Sequence, residues 1–229
     1  MEKKKKNAIM EIPSLYPLLL NDVYIYDNII ENTGWDGIQV SMVEINCKIY
    51  NNRILRYGLS GNSNHYGGIQ INNGTTGQCY NNFIADGKGA GIVLLGVGFN
   101  SIYNNVILNA GKDHYPEISS RGANGIYFGT KAAYEKPYYF INNTILNSKN
   151  DQIKINGNDY SGDELYIYNN LLVDETVSSS QPEDIDKYID LFNSDDITIY
   201  DTNNIGYNDL SYFDFINSEN LDFRLQNSS

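Results

Sequence analysis

Apolar and polar residues alternate in a short unit that the chain rebuilds seven times: "YIYDNII" from Tyr24, "KIYNNRI" from Lys48, "QCYNNFI" from Gln78, "SIYNNVI" from Ser101, "YFINNTI" from Tyr139, "YIYNNLL" from Tyr166 and "TIYDTNN" from Thr198. Aligned on the second Asn, the units place Asn28, Asn52, Asn82, Asn105, Asn143 and Asn170 in one column, with Thr202 in the last unit. The intervals are 24, 30, 23, 38, 27 and 32 residues, so a constant core is joined by loops of variable length. Three positions before the Asn stand Ile25, Ile49, Cys79, Ile102, Phe140, Ile167 and Ile199, all apolar. One position later stand Tyr26, Tyr50, Tyr80, Tyr103, Ile141, Tyr168 and Tyr200. This period of two predicts a strand with the first column in a core and the Tyr column on the opposite face. Two positions after the Asn, Ile30, Ile54, Ile84, Ile107, Ile145 and Leu172 form a second inward column beyond a bend.

Between these units runs another set of strands: "GIQV" from Gly37, "GIQI" from Gly68, "GIVL" from Gly91, "GIYF" from Gly125 and "QIKI" from Gln152. Each turn of chain therefore carries at least three short strands, and helical patterns are scarce enough to exclude an alternating βα repeat. The economical geometry is a solenoid in which each repeat stacks on the one before it through parallel strands. Rungs about 4.8 Å apart would make seven of them a rod roughly 35 Å long. Parallel crossovers of this kind are right-handed. The expected fold is an all-β, single-stranded right-handed parallel β-helix of about seven rungs with three strands each. Residues 1–20 are expected to form an N-terminal tail or cap, 21–205 the helix, and 206–229 a closing segment.

Composition agrees with turn-rich β structure. Among 229 residues there are 20 Tyr and 20 Gly, and 41% of residues are apolar, with aromatic residues favouring strands and Gly favouring turns. The net charge of −12 disfavours nucleic acid and anionic membranes as partners. No stretch of about 18 apolar residues occurs, so no helix is expected to span a membrane. Cys47 and Cys79 are too few for a disulfide scaffold and form no CxxC, which predicts two small buried hydrophobes. The start, "MEKKKKNAIMEIPSLYPLLL", has a Lys run like a secretory leader, but Glu11, Pro13 and Pro17 break its apolar part and make it a poor signal peptide.

The "YNN" turns and "GIxV" strands, over about Tyr24 to Asn204, resemble the pectate-lyase-like right-handed parallel β-helix superfamily. That resemblance implies an extracellular or cell-surface location. It also implies a ladder of stacked Asn at the bend between the second and third strands, matched here by Asn28, Asn52, Asn82, Asn105, Asn143 and Asn170. An inward Asn at a bend has donors and acceptors enough to bond both the turn backbone and the Asn above it. The tail "DFRLQNSS" resembles the closing segment of bacterial surface β-helix proteins, where it usually continues, so the chain is expected to be a piece of a larger exported protein.

The resemblance further implies that the loops entering the "GIxV" strands border a substrate groove, and long loops on a rigid scaffold are where binding residues usually sit. The two conspicuous insertions, "RYGLSGNSNHYG" and "NAGKDHYPEISSRGAN", both precede such strands. Rung by rung the entrances carry Trp35 and Asp36, then His65 and Tyr66, then Lys88, then Arg121 and Asn124, then Lys149, Asn150 and Asp151. His65, Lys88, Arg121 and Lys149 line up as a basic column on an acidic protein, with Trp35 and Tyr66 as flat aromatic faces. The candidate substrate-binding residues are Trp35, Asp36, His65, Tyr66, Asn124 and Lys149, and the ligand they suit is an acidic polysaccharide whose uronate carboxylates pair with the basic groups. The competing reading is a row of solvated loop residues, with the aromatics lying as a lid over the strand edge.

Glycoside hydrolysis needs two carboxyls about 5–9.5 Å apart. Asp36 and Asp151, the acids at the entrances, stand four rungs apart, about 19 Å at the β spacing. β-Elimination needs a uronate carboxylate neutralised and a base for the C5 proton. Lys88 and Arg121 on neighbouring rungs, with His114 nearby in sequence, are the catalytic candidates. Asp113 and Glu117 in the same loop could supply oxygen ligands to Ca²⁺; no other cofactor is implied. Two readings stay open: a polysaccharide lyase, and a non-catalytic glycan-binding or adhesive surface module. A trimeric fibre would need flat apolar outer faces, against which the Tyr-rich column argues.

Overall fold

The computed structural model describes residues 20–61, 64–95, 100–113, 120–129, 137–157, 163–177, 185–192, 197–212, 215–217 and 222–225. Three stacked sheets, every pairing parallel, wind into a right-handed β-helix. The first-strand sheet contains Ile38–Val40, Ile69–Ile71, Ile92–Leu94, Ile126–Phe128, Ile153–Asn156 and Ile189–Phe192. The second-strand sheet runs from Tyr24–Tyr26 to Ile197–Thr202 and the third from Ile29–Glu31 to Ile205–Tyr207, each with seven strands. Strand Ile189–Phe192 is a sixth first strand beyond the five "GIxV"-like segments. Its sequence "YIDLF" has no glycine before it, which hid the repeat.

The inward columns pair in register from rung to rung. Ile49 meets Cys79, which meets Ile102, Phe140 and Ile167 in turn. Nearly all of these side chains are fully buried, and together with Ile54, Ile84, Ile107, Ile145 and Leu172 they fill the barrel. Both cysteines are free and lie in this core. Burial pushes the Cys47 thiol up to about 12, so it packs as a neutral apolar group.

The two Asn of "YNN" do different work. The first residue of each pair is left-handed: Asp27, Asn51, Asn81, Asn104, Asn142, Asn169 and Asn203 all have φ between 54° and 58°. Asn and Asp tolerate that region better than other residues with a Cβ, so the chain can turn sharply between its second and third strands. The second Asn points inward. Asn105 Nδ2 donates to Cys79 O at 3.0 Å and to Asn143 Oδ1 at 3.0 Å, while its own Oδ1 accepts from Asn82 N and Nδ2 at 3.1 and 3.0 Å. The same pattern joins Asn52, Asn82, Asn105, Asn143 and Asn170, all at most 2% exposed.

The last rung departs from the sequence alignment. Asn204, not Thr202, completes the ladder: it receives Asn170 N at 2.9 Å and Asn170 Nδ2 at 2.8 Å. The unit is therefore shifted by two residues. Asp201, not Ile199, lies opposite Ile167, and Tyr200 lies opposite Tyr166 rather than continuing the column of Tyr168. The bonds of the ladder set the register here, and they outweigh the resemblance of "TIYD" to "KIYN".

Outside the barrel, Tyr26, Tyr50, Tyr80 and Tyr103 form one continuous stack, with ring centroids 4.9, 5.0 and 4.9 Å apart and planes within 6° of parallel. The ring spacing is that of the strands themselves. Tyr139, Tyr166 and Tyr200 form a shorter stack in the neighbouring column. Near the N-terminal end, Leu20–Asn21 pairs with Val43–Ile45. Towards the C-terminus, Phe215–Asn217 and Asp222–Leu225 pair antiparallel, unlike the rungs. Of the expected cap over residues 1–20, residues 1–19 lie outside the described residues.

Candidate functional site

The entrance turns are held in place by a backbone ladder of their own. Gly37 N donates to Gly67 O, Gly68 N to Ala90 O, Gly91 N to Asn124 O and Gly125 N to Asp151 O. Counted back from the first residue of each strand, Trp35 and Tyr66 occupy one position, and His65, Lys88 and Lys149 another. The count is one of sequence: in space Lys88 N donates to Tyr57 O, so Lys88 stacks on the insertion that follows Arg56.

In the first two rungs these residues meet. The insertion after Arg56 packs down on the turn at 33–36: Gly58 N, Leu59 N and Ser60 N donate to the carbonyls of Trp35, Thr33 and Gly34. Thr33 Oγ1 also donates to Trp35 O at 2.8 Å. The Trp35 backbone is pinned while its side chain stays 41% exposed. Its ring stacks on the imidazole of His65, centroids 5.2 Å apart and planes 17° apart. His65 Nδ1 lies 3.3 Å from Asp36 Oδ2, and Asp36 Oδ1 accepts Gly67 N–H at 2.7 Å. The Asp36 side chain is only 4% exposed against 30% for His65. Burial pushes the Asp36 carboxyl up to about 6, opposed by the Gly67 bond and by His65.

The other predicted residues take varied places. Tyr66 is 4% exposed, so it packs into the turn and offers no open face, although it matches Trp35 in position. Lys88 is half-buried between Gly87 and Gly89. A Cβ on Gly87 would come within 2.0 Å of the Tyr57 ring, and one on Gly89 within 2.0 Å of Tyr66 O. This close approach of the "GKG" turn to the two tyrosines requires glycine and fixes where Lys88 emerges. Arg121 lies in the 3₁₀ turn Ser120–Ala123 that leads into the next first strand, so the backbone places it one rung beyond Lys88. Lys149 is exposed. Asn124 is fully buried, and its Oδ1 accepts Asp151 N–H at 3.3 Å, which makes it part of the turn framework. Asp113 is exposed on a left-handed turn. His114 and Glu117 lie outside the described residues.

His65 is tied to the acid of the rung before it. On the outer face of the first-strand sheet Ala90, Val93 and Tyr127 form a small apolar cluster, each at most 4% exposed. Further along, sequence reasoning missed a charged group on the outer face of the first-strand sheet. Lys154 Nζ contacts Asp190 Oδ2, lies 3.8 Å from Asp151 Oδ2 and sits 5.5 Å from the centre of the Phe192 ring. Asn156 Nδ2 donates to Tyr127 Oη at 2.9 Å beside it. Burial and the charge of Asp190 raise the Asp151 carboxyl while Lys154 lowers it. The outward parity of Lys154 in "QIKI" was a legible signal; its partner Asp190 lay in the first strand that the glycine pattern did not reveal.

Among the described residues, no group of three or more His, Cys, Asp or Glu side chains is gathered that could hold a metal ion. No helix among them is long and apolar enough to cross a membrane. Comparison with protein families, curated proteins and solved structures finds no match to this chain.

Proposed function

We propose that this β-helix binds an acidic, uronate-containing polysaccharide along the entrances to its first strands, outside the cell or at its surface, as the pectate-lyase-like superfamily it resembles would do. The observation that carries this reading is Trp35. A large aromatic ring, 41% exposed, is held in one orientation by a pinned backbone and a stacked imidazole. An ordered exposed ring is a costly surface feature that a sugar face can cover with little loss of side-chain entropy. Lys88 and Lys149, in the turns that enter later first strands, would supply cationic groups for carboxylates further along the chain.

A second reading makes the protein a lyase. It is favoured by Lys88 and Arg121 standing in turns that enter adjacent, paired strands, the spacing at which one uronate could meet both. Without turnover, the same surface is a binding or adhesive module. Calorimetric titration with galacturonate, guluronate and mannuronate polymers tests the binding reading. Binding that falls at least about tenfold in Trp35→Ala supports it, since one stacked aromatic is worth about 1.4 kcal/mol or more. Failure of every acidic polymer to bind refutes it.

A further inference from the structure

The outer face of the second-strand sheet carries two tyrosine stacks, and their hydroxyls meet different groups. In the long stack, Tyr26, Tyr50, Tyr80 and Tyr103 lie 4.9 to 5.0 Å apart, and no carboxylate among the described residues accepts from their hydroxyls. In the short stack, Tyr166 stands directly opposite Tyr139 on one side and Tyr200 on the other. Tyr166 and Tyr200 are the tighter pair, with centroids 4.6 Å and planes 11° apart against 5.1 Å and 20° for Tyr139 and Tyr166. The period of two puts Glu164 on the same face of the strand as Tyr166, and Tyr166 Oη donates to Glu164 Oε2 at 3.0 Å. Tyr24 has a carboxylate without the ring partner: its hydroxyl donates to Asp22 Oδ1 at 3.2 Å, but Lys48 lies opposite it. Tyr166 thus combines a stacked phenol with a proton acceptor. Its partner Tyr200 is 40% exposed, which gives that ring room to tilt and gives an oxidant access.

We propose that Tyr166 and Tyr200 are an oxidative cross-linking site, joined as dityrosine by a haem peroxidase acting with hydrogen peroxide. The site does not depend on the polysaccharide reading. Each phenol gives up one electron and its hydroxyl proton. At Tyr166 that proton passes to Glu164 Oε2, an acceptor already in place. The bond to Glu164, with burial, pushes the Tyr166 phenol up to about 12, so the group meets the oxidant protonated and loses proton and electron together. The two phenoxyl radicals couple through a new C–C bond between the Cε carbons beside the hydroxyls. The two ring hydrogens displaced there move to the oxygens and restore both phenols. Peroxide takes up the two electrons and two protons and leaves as two waters. The bond ties strand Asp163–Tyr168 to strand Ile197–Thr202, the last pair in its sheet. It closes the chain between them and so restricts the unfolded state, as a disulfide does.

The test treats the full chain with hydrogen peroxide and a haem peroxidase, and follows dityrosine fluorescence, intact mass and peptide mapping. The expected product has the mass of one chain less two hydrogen atoms, and its first cross-linked peptides contain Tyr166 and Tyr200. Tyr200→Phe, which keeps a ring in the stack, should abolish that product. Glu164→Gln should slow its formation at least about tenfold, the low side of what a positioned proton acceptor supplies, while coupling within the long stack keeps its rate. A first cross-link mapped among Tyr26, Tyr50, Tyr80 and Tyr103 overturns the assignment, as do products that join only separate chains. An undiminished rate in Glu164→Gln overturns the role of the carboxylate. The mapping is made on the natural protein, so it decides even where a variant fails to fold.

Discussion

The corner between the second and third strands and the entrance to the first strand are stacked by the same backbone repeat, yet they treat polar side chains in opposite ways. At the corner, the inner rungs repeat one residue in one environment, and each buried Asn bonds the next. At the entrance, positions equivalent in sequence hold His65, Lys88 and Lys149, or Trp35 and Tyr66, and each does something different. Uniform satisfaction of buried polar groups builds a scaffold. The entrance residues differ from rung to rung, and one of them is an ionisable acid buried beside a part-exposed histidine.

The sharpest way to break this contrast is at the middle of the ladder. Asn105→Leu leaves the Asn82 donors, Cys79 O and Asn143 Oδ1 short of partners. It should lower the unfolding free energy by about 3–5 kcal/mol, since each orphaned buried group costs about 1–3. Asn28→Leu, at the exposed end of the ladder, should cost about 1 kcal/mol in the same urea titration. Equal costs would mean that the ladder is not what ties the rungs together.

At the entrance the sign should reverse. The folded-state carboxyl of Asp36 is raised from an ordinary 3.8 to about 6, so the folded protein keeps its proton where the unfolded chain has lost it. The stabilisation linked to that proton is complete below about pH 4 and is lost as pH rises through about 6, about 3 kcal/mol in all at 1.36 per unit. Asp36→Asn removes this loss. It should be more stable than the natural protein at pH 7 by about 2–3 kcal/mol, and no more stable at pH 4, by thermal or urea unfolding at the two pH values. A variant less stable at pH 7 would make the buried acid a structural element like the ladder Asn.

Smaller effects refine the picture. Tyr80→Leu interrupts the four-ring stack and should cost about 1 kcal/mol, the scale of an aromatic cross-strand pair. The chain itself places Ile141 beyond Tyr103 in this column. Trp35→Ala, which removes one stacked pair from a partly exposed ring, should also cost about 1 kcal/mol, with the fall in glycan binding proposed above as its separate readout.

The strands, the inward columns and the Asn ladder were legible because a solenoid is a nearest-neighbour structure: each rung repeats the same local pattern against its predecessor. The misplaced last rung marks where that legibility ends. "TIYDTNN" resembles the other units two residues away from its true register, and only the bonds from Asn170 to Asn204 reveal it. The sixth first strand escaped for a related reason, since Tyr188 precedes it where the early rungs have Gly.

By itself, the sequence determined the class of fold, the three-strand rung, the polar ladder inside it and the region where unlike residues gather. Tertiary structure alone decided what those residues do. Trp35 and Tyr66 share a position, yet one ring is exposed and the other buried. His65 belongs to a candidate basic column, yet it turns to an acid 29 residues away. The physical reason is that strand parity is written locally in the backbone, whereas the direction and charge state of a loop side chain depend on which distant groups the stacking brings beside it.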